Sequence, residues 1–454
     1  MREGSFPDSL KIAKVLPIFK KGNPREPSNY RPISLLPYLS KIFEKVLYYR
    51  LITHFCTHSI LSQFQFGFRK NLSTFDAIVA FTEKLYEGLN EKKSILNIFI
   101  DYSKAFDSVD LEILLKKLDN YGVRGDFLAL MRSFLFNRKQ YIQFGKACSA
   151  TRTLNIGVPQ GSILGPLVFL VYVNDLPRLS QNFFPVMFAD DCTLQFQDRD
   201  IHSLINTCNV ELRSLKEWTE SNRLTINVGK TNCMFISNMY SSLPDNSINF
   251  NNQYLNYVDN TKFLGVTLDS QLKYADHINI ICSKISKTIG ILFKLRTEVP
   301  KSCLKSIYYS LIHPYILYCL PIFAATNEVH IRPLVTLQKR AVRILNGASY
   351  YQHTEPLFYD SGILKISDQY KLYLGSYVIK NFDIISEHQR AHHYFTRNRD
   401  VPSAPYERLR STQQSVIFNA INIWNEVPLV VKECSQPSTF KRNFKLHLLN
   451  QYNR

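Results

Sequence analysis

A chain of 454 residues is long enough for about two to four domains, because domains usually contain roughly 100–200 residues. The composition, with 45% hydrophobic and 20% charged residues, excludes a largely disordered protein. The formal net charge of +18 favours a polyanionic partner, most often nucleic acid, although an anionic membrane or simple solubility would also account for it. The charge is uneven, because residues 281–454 contain 23 Lys or Arg and 11 Asp or Glu.

The nine cysteines are scattered, and no two of them form a CxxC pair. This pattern argues against a disulfide framework and a zinc knuckle, and it favours an intracellular location such as the nucleus or the cytoplasm. The N-terminus, MREGSFPDSLKIAKVLPIF, lacks the apolar stretch of a signal peptide. The longest apolar run, 163–173, is too short for a membrane span of about 20 residues, so we expect no membrane partner.

In chain order, the first elements are a loop and a helix. Turn-forming residues at 23–29 (NPREPSN) predict the loop. The spacing of apolar residues over 39–52 predicts the helix. Its apolar positions are Ile42, Phe43, Val46 and Leu47.

The next elements are a strand and a second helix. The apolar run SILNIFI, residues 94–100, is typical of a buried strand, and it ends at Asp101. Leucines then recur at i, i+3, i+4 and i+7, which predicts an amphipathic helix. These leucines are Leu111, Leu114, Leu115 and Leu118, with Asp110 before them and Gly122 after them as end signals.

A tight turn and a hairpin follow. The sequence GVPQG, residues 157–161, predicts the turn, after which Ser162 can cap a helix that accommodates Pro166 in its first turn. This helix is apolar nearly all round, so we expect it to be buried. The run VMFADDCTLQF, residues 186–196, predicts two short strands around a turn with Asp190 and Asp191.

The later elements are mainly helical and basic. Residues 211–221 predict a helix, residues 263–268 (FLGVTL) predict one strand, and from about Ala275 the pattern becomes helical. In PLVTLQKRAVRILNG the apolar residues form a stripe, and Lys339, Arg340 and Arg343 lie off it. Solvated charge and nucleic-acid contact remain equal alternatives for that face. The alternation of strand-like and helical segments indicates a mixed α/β or α+β class.

Two adjacent aspartates in an apolar hairpin need compensation, because like charges repel strongly where the dielectric is low. Taken alone, Asp190 and Asp191 fit an exposed turn. Protonation of one would require deep burial, whereas a bound Mg²⁺ is commonly held by carboxylates and substrate phosphates. Asp101, at the end of a neighbouring strand, can supply the third carboxylate of a two-metal site for phosphoryl transfer.

Seven motifs occur in the same order as in the reverse transcriptases of non-LTR retrotransposons, and the jockey and LINE-like groups are the most similar. They are NYRPISLL (29–36), QFGFRKNLST (65–74), DYSKAFDSVD (101–110), GVPQGSILGPLVFLVYVNDL (157–176), FADD (188–191), NVGKT (227–231) and FLGV (263–266). The resemblance spans 6–347, and the tail is similar to the segment that follows the polymerase in such elements.

The resemblance implies an α+β, right-hand polymerase with fingers, a palm containing an antiparallel sheet, and a thumb. It places the fingers at 1–94, the palm with inserted finger elements at 95–270, a thumb-like helical region at 271–350, and a mostly helical C-terminal segment without an assigned role at 351–454. The implied activity is that of an RNA-directed DNA polymerase, which is a nucleotidyltransferase.

The resemblance implies that Asp101, Asp190 and Asp191 are the catalytic residues and hold two Mg²⁺ ions, for which Mn²⁺ can substitute. The partners would be an RNA template, a DNA primer and deoxynucleoside triphosphates. The primer 3′-hydroxyl would attack the α-phosphate of the nucleotide, with pyrophosphate leaving. An endonuclease is expected on a missing or separate segment.

The family pattern also assigns nucleotide contacts. Arg31 resembles the finger arginine that clamps the triphosphate. Phe106 corresponds to the steric gate, whose ring occupies the space of a ribose 2′-hydroxyl, although a core aromatic is the structural alternative. Gln160 and Gly161 resemble the turn against nucleotide and template, and Lys230 is expected near the pyrophosphate.

Template and primer contacts are expected from two groups of residues. Lys14, Lys20 and Lys21 lie in the basic fingers, where surface lysines without a ligand are the alternative. The segment Phe263, Leu264 and Gly265 resembles the primer grip.

Two other functional hypotheses remain. The first is a catalytically silent nucleic-acid-binding relic or domesticated protein that retains the polymerase fold. The second is an RNA-dependent RNA polymerase or group II intron maturase. Phe106 disfavours the RNA polymerase, whose site should accept a 2′-hydroxyl, and the tail shows no maturase-like features.

Overall fold

The computed structural model describes residues 4–239, 247–383, 402, 404, 409, 412–434 and 436–453. The chain forms two compact units. The first comprises Met1–Ala77 and Ser94–Val258, and the second comprises Ile78–Lys93 and Asp259–Arg454. Helices and sheets both contribute, which confirms the α+β class.

Where the structure describes it, the first unit contains two five-stranded sheets and one small hairpin. Its strands are β1 (Ile12–Phe19), β2 (Tyr30–Leu35), β3 (Ser94–Ile100), β4 (Arg138–Phe144), β5 (Ala147–Cys148), β6 (Arg152–Leu154), β7 (Phe184–Phe188), β8 (Asp191–Asp198), β9 (Asn232–Ile236), β10 (Asn249–Phe250), β11 (Gln253–Tyr254) and β12 (Asn256–Tyr257). One sheet has the order β2-β1-β4-β5 with β6 on β4, and the other has the order β12-β9-β3-β8-β7.

Among the described residues of this unit, six helices accompany these sheets, and the second of them continues into the second unit. They are α1 (Tyr38–Thr57), α2 (Thr74–Asn90), α3 (Leu111–Asn120), α4 (Gly125–Leu135), α5 (Leu164–Val173) and α6 (Ile201–Ser221). Short 3-10 turns lie at Asp8–Leu10, Pro27–Asn29, Ala105–Ser108 and Leu176–Arg178.

Strand β3 is the centre of the second sheet, as the apolar run SILNIFI predicts. It pairs antiparallel with β8 on one side and with β9 on the other. Its side chains are buried on both faces, because helices and neighbouring strands cover them. Strands β7 and β8 form the predicted hairpin.

Several local predictions for the first unit are confirmed. The Asp110 side chain caps α3 by accepting hydrogen bonds from the backbone N–H groups of Glu112 and Ile113, each at 3.0 Å. Helix α5 is almost completely buried and contains Pro166 in its first turn. Ser162 Oγ accepts hydrogen bonds from the first N–H groups of this helix, as expected of a capping residue.

The predicted helix over 39–52 is confirmed as part of α1, but its spaced apolar residues do not all lie in the core. Leu47 is buried, but Ile42, Phe43 and Val46 are exposed. The face that contacts the core instead includes the polar residue Glu44. Apolar spacing could not identify this face, because the buried carboxylate is stabilised by hydrogen bonds to residues distant in the sequence.

The second unit is mainly helical. Besides most of α2, it contains the hairpin strands β13 (Asn260–Phe263) and β14 (Val266–Asp269). Its further helices are α7 (Ala275–Leu295), α8 (Lys301–Leu311), α9 (His313–Leu317), α10 (Leu320–Phe323), α11 (Glu328–Leu345), α12 (Glu355–Ser361), α13 (Ile366–Lys380), α14 (Val416–Glu426), α15 (Leu429–Lys432) and α16 (Pro437–Asn450). Further 3-10 turns lie at Thr412–Gln414 and Gln451–Asn453.

The prediction of one strand over 263–268 is wrong. Leu264 and Gly265 have φ angles of 44° and 90°, so the chain reverses there and forms the β13–β14 hairpin. Period-two apolar alternation could not reveal a turn whose residues include Leu in the left-handed region.

The compact units group the chain differently from the predicted subdomains. Residues 78–93 and 259–270 belong to the second unit, whereas the family pattern assigns them to fingers and palm. The subdomain boundaries themselves stay predictions. Among the described residues, no helix is both long enough and apolar enough to cross a bilayer.

The core of the first unit yields a stability prediction. Leu194 of β8 is fully buried and Leu39 of α1 is 58% exposed. We expect Leu194→Ala to lower the free energy of unfolding by about 2–5 kcal/mol, and the matched substitution Leu39→Ala to change it by less than about 0.5 kcal/mol. Urea unfolding followed by Trp218 fluorescence, with Trp424→Phe as the common background, would measure both. Equal effects would contradict the assigned core.

Candidate active site

The pairing of β3 with β8 brings Asp101, which follows β3, close to Asp191, which begins β8. The last residue pair in the ladder is Ile100 with Cys192, so the next step of the register aligns Asp101 with Asp191. Because side chains alternate between the faces of a sheet, these two carboxylates leave from the same face. Asp190 lies in the two-residue turn between Phe188 and Asp191.

The turn of this hairpin is held in an uncommon conformation by a buried glutamine. Ala189 has a φ angle of 57°, which is unfavourable for a residue with a β-carbon. The Ala189 N–H donates to Gln65 Oε1 at 3.1 Å, and the Gly67 N–H donates to the same oxygen at 3.0 Å. A β-carbon on Gly67 would lie 2.4 Å from the Ala189 nitrogen, so this approach requires glycine.

Electrostatics make the two hairpin aspartates reluctant to ionise. Burial raises the pKa of Asp191 to about 6, and the charges of Asp190 and Asp101 add to this effect. Burial also raises the pKa of Asp190, as does Asp101, whereas Arg31 and Lys20 oppose the shift. The side chains reach solvent on one side, but the surrounding protein removes part of their hydration.

Asp101 is held by the loop that contains NVGKT. Its backbone N–H donates to Thr231 Oγ1 at 3.2 Å, and its carbonyl accepts from the Asn227 N–H at 2.8 Å. Lys230 Nζ lies 3.8 Å from Asp101 Oδ2. The lysine that is expected near the pyrophosphate therefore lies beside the first of the three predicted catalytic carboxylates.

The three carboxylates have the chemistry of a hard-cation site. Their oxygens are the ligands that Mg²⁺ prefers. A dication would favour the ionised forms of Asp190 and Asp191, which burial and the neighbouring carboxylates disfavour. Within the described ranges, however, no group of three or more His, Cys, Asp or Glu side chains is arranged to hold a metal. Sharing an ion requires the carboxylates to approach further, and their metal role stays a prediction.

One pocket of about 1140 Å³ collects most of the predicted site. The predicted residues that line it are Lys20, Arg31, Asp101, Phe106, Gln160, Gly161, Asp190 and Lys230. Other lining residues that the sequence interpretation did not assign include Arg25, Phe68, Lys104, Asp107 and Asn227. Asp191 lies next to the lining residue Asp190 in the same hairpin.

The predicted finger lysines are not equivalent. Lys20 lines the pocket, whereas Lys14 and Lys21 do not. Lys14 alternates along β1 with Val15, which does line it, so the Lys14 side chain leaves from the opposite face of the sheet. Contacts of Lys14 and Lys21 with a template or primer stay predictions.

Phe106 is positioned by aromatic packing. Its ring stacks on Phe169 of α5 with a centroid distance of 4.6 Å, while it also lines the pocket. The adjacent residue, Asp107, accepts a hydrogen bond from Gln160 Nε2 at 3.2 Å. Burial raises the pKa of Asp107, and Gln160 and Lys104 counteract it. The predicted nucleotide-contacting glutamine is thus hydrogen-bonded to the residue that follows the predicted gate.

Gly161 is required by a close approach to β2. Its φ angle is 122°, and a β-carbon there would lie 2.5 Å from the Ser34 carbonyl oxygen. The Ser34 N–H donates to the Gln160 carbonyl at 2.8 Å. The turn with Gln160 therefore lies directly against the strand that contains Arg31.

Phe263, Leu264 and Gly265 lie in the second unit, at the turn of the β13–β14 hairpin. Phe263 is buried and packs against Phe81 with a centroid distance of 5.1 Å. The Tyr318 hydroxyl donates to the Leu264 carbonyl. These contacts give the segment a structural role, and its contact with a primer stays a prediction.

Sequence reasoning missed functional candidates whose importance depends on folding. Asp107, Gln65 and Glu44 all lie within or beside recognised motifs, but their roles come from partners that are distant in the sequence. The only local signal was a polar residue within a mainly apolar segment, at Glu44 of KIFEKVL and Gln65 of QFQFGF.

A sequence model of the reverse transcriptase (RNA-dependent DNA polymerase) family matches residues 18–268. The match covers more than half of the chain, and the chain belongs to this family. The family generally depends on divalent metal ions and uses an RNA template and nucleotide substrates.

Among curated relatives, the chain is similar to polymerases of non-LTR elements, which confirms the predicted resemblance. A probable RNA-directed DNA polymerase from transposon BS of Drosophila melanogaster is 28% identical, over 90% of this chain and 46% of the relative. The RNA-directed DNA polymerase from mobile element jockey of the same species is 27% identical, over 81% of this chain and 41% of the relative. The chain thus spans less than half the length of these relatives.

Among solved structures, the chain is similar to an apo telomerase from Candida tropicalis. The sequence identity is 11% and the TM-score is 0.43, with 99% of this chain and 70% of the telomerase chain covered.

The raised pKa of Asp191 predicts a pH-dependent stability. Between the ordinary value of 3.8 and about 6, the folded protein retains a proton that the unfolded chain has released, so stability falls as the pH rises through this window. Asp191→Asn should remove this contribution. Urea unfolding at pH 4–8 in EDTA should therefore show the variant gaining on wild type between pH 4 and 6, with a constant difference above pH 7.

The exposed substitution Asp126→Asn in α4 is the control for the loss of one negative charge. A difference between Asp191→Asn and wild type that is the same at every pH would contradict the electrostatic environment described for the hairpin.

Proposed function

We propose that the protein is an RNA-directed DNA polymerase that adds deoxynucleotides to a primer 3′-hydroxyl. The observation that carries this proposal is one pocket that contains the Asp101 and Asp190 carboxylates, the Arg31 guanidinium and the Phe106 ring. These are the groups that polymerisation of a nucleoside triphosphate requires, and family membership supports the same activity.

The charge distribution of the pocket suits a triphosphate. Its cationic lining residues are Lys20, Arg25, Arg31, Lys104 and Lys230. A guanidinium can bind phosphate oxygens in a bidentate manner, whereas an ammonium acts as a point charge. We assign Arg31 to the triphosphate and Lys230 to the phosphates that become pyrophosphate. Lys230 already lies 3.8 Å from Asp101, so it can stabilise negative charge on either group.

In the mechanism, the protein positions the reacting groups. Asp101, Asp190 and Asp191 would hold the divalent metal ions, which supply Lewis-acid activation of the hydroxyl and stabilise charge on the phosphates. Arg31 orients the triphosphate, and the fixed turn with Gln160 lies along the nucleotide. Such positioning reduces the entropy that a bimolecular reaction would lose.

Phe106 supports selection of deoxynucleotides. Its ring has Phe169 behind it at 4.6 Å, so it cannot retreat without disturbing α5, which is buried. A ribose 2′-hydroxyl against the ring would be both crowded and deprived of a hydrogen-bond partner. This arrangement favours a DNA product over an RNA product, and the intact pocket disfavours the silent-relic hypothesis.

We propose an RNA template, a DNA primer and deoxynucleoside triphosphates as partners, with Mg²⁺ as the metal and Mn²⁺ as a substitute. The net charge of +18 supports binding to nucleic acid. Strand cleavage to supply a primer is proposed for an endonuclease on another segment or protein. The cysteines of the described residues are free thiols, which supports a nuclear or cytoplasmic location.

Primer extension tests the activity. We expect wild type to extend a DNA primer on an RNA template with Mg²⁺ and deoxynucleotides. Asp190→Asn with Asp191→Asn should reduce extension by at least about 10³-fold, because metal ligation and charge are lost, while the RNA dissociation constant stays within about threefold. Equal incorporation by wild type and double variant would disprove the proposed function.

A smaller residue at the gate tests sugar selection. Phe106→Val should raise the relative kcat/KM for ribonucleotides over deoxynucleotides by at least about tenfold, because the space for a 2′-hydroxyl opens. Phe144→Val, at an exposed aromatic of β4 that lines the same pocket, is the matched control and should leave the ratio unchanged. An unchanged ratio in Phe106→Val would assign its ring to packing only.

A further inference from the structure

A carboxylate without exposure lies behind the pocket. Glu44 of α1 has 0% of its surface accessible. An ionised carboxylate is expensive to bury unless hydrogen bonds or opposite charge compensate for the lost water. The groups that compensate for the burial of Glu44 therefore indicate the role of this residue.

The hydrogen bonds of Glu44 converge on the segment that follows Gln160 and Gly161. Glu44 Oε2 accepts from Ser162 Oγ at 2.5 Å, from the Ile163 N–H at 2.7 Å and from the Leu164 N–H at 3.3 Å. These donors belong to the entry into α5, where unpaired N–H groups and the helix dipole favour a negative charge.

The second carboxylate oxygen and the electrostatic environment complete the arrangement. Glu44 Oε1 accepts from Ser40 Oγ, one helical turn earlier, at 3.2 Å. Arg138, a buried residue at the start of β4, provides opposite charge. Burial lowers the pKa of Arg138 to about 10, and the Glu44 charge opposes that change. The carboxylate is thus fixed from both sides.

The turn held by Glu44 touches the other parts of the nucleotide pocket. The Gln160 carbonyl accepts from Ser34 of β2 at 2.8 Å, and β2 also contains Arg31. The Gln160 side chain donates to Asp107 at 3.2 Å, next to Phe106. A shift of the turn would therefore change the spacing between the triphosphate arginine, the glutamine and the gate.

We propose that Glu44 is a positioning residue for nucleotide binding: its buried carboxylate fixes the Gln160–Gly161 turn against β2 and thereby sets the geometry of the nucleotide pocket. It does not touch the substrate. The proposal rests on the polymerase activity proposed above, and it adds the prediction that substitution of Glu44 weakens nucleotide use more than the chemical step or the binding of template and primer.

The test compares Glu44→Met, which has similar length but no acceptor, with Glu44→Gln, which retains one acceptor oxygen. We expect Glu44→Met to raise the KM for deoxynucleotides about tenfold and Glu44→Gln to raise it about threefold, because one or more hydrogen bonds to the turn are lost. The kcat at saturating nucleotide and the dissociation constant of the RNA–DNA duplex should each change less than about twofold.

The control is Glu211→Gln, which changes another buried carboxylate. Glu211 accepts hydrogen bonds from Ser180 and Asn182 and does not contact the Gln160–Gly161 turn, so the nucleotide KM should stay unchanged. Circular dichroism and a thermal melt establish which variants are folded, and Glu44→Gln decides the outcome if Glu44→Met is not. A folded Glu44→Gln with wild-type KM would overturn the proposal. A rise in KM that is matched by an equal fall in kcat and in duplex affinity would also overturn it. If wild type itself fails to extend a primer, the proposed function fails instead.

Discussion

Antiparallel pairing of β3 with β8 is the constraint on which the candidate active site depends. The strands come from distant parts of the chain, and their register alone aligns Asp101 with Asp191. A slip by one residue would move every side chain of one strand to the other face. The register is secured by a buried polar pair, because Gln195 Nε2 of β8 donates to Asn97 Oδ1 of β3 at 3.0 Å, and a slip would separate these two buried amides.

This constraint concentrates negative charge, and several features oppose the resulting repulsion. Arg31 and Lys20 act electrostatically on Asp190, and Lys230 lies next to Asp101. Gln65 holds the turn of the hairpin at Ala189. Burial and the two neighbouring carboxylates raise the pKa of Asp191, and the proposed divalent cation would offset this cost of ionisation. Local instability of this kind is common at catalytic centres.

Much of this architecture could be predicted from local patterns. The run SILNIFI forms β3 over the predicted residues, the leucine spacing forms α3, and VMFADDCTLQF forms the β7–β8 hairpin. These predictions succeeded because the periodicity of apolar residues reflects the core directly. The ordered motifs also identified the family, and eight of the predicted site residues line one pocket.

The predictions failed where distant contacts override local pattern. The apolar spacing correctly predicted helix α1 but gave no indication that Glu44 is buried, because that burial depends on donors more than one hundred positions away in sequence. It also missed the turn at Leu264 and Gly265, because a leucine with positive φ has no simple sequence signature. The Asp107–Gln160 contact likewise links separate motifs, and only the fold brings them together.

Manganese binding measured by electron paramagnetic resonance shows whether Asp101 and Asp191 share a metal ion, because it reports metal occupancy without requiring catalysis. If Asp101 and Asp191 share an ion, Asp101→Asn and Asp191→Asn should each weaken Mn²⁺ binding by more than about tenfold relative to wild type. Wild-type Mn²⁺ affinity in Asp101→Asn, combined with weakened binding in Asp191→Asn, would show that the aligned carboxylates do not form one site and would contradict the account.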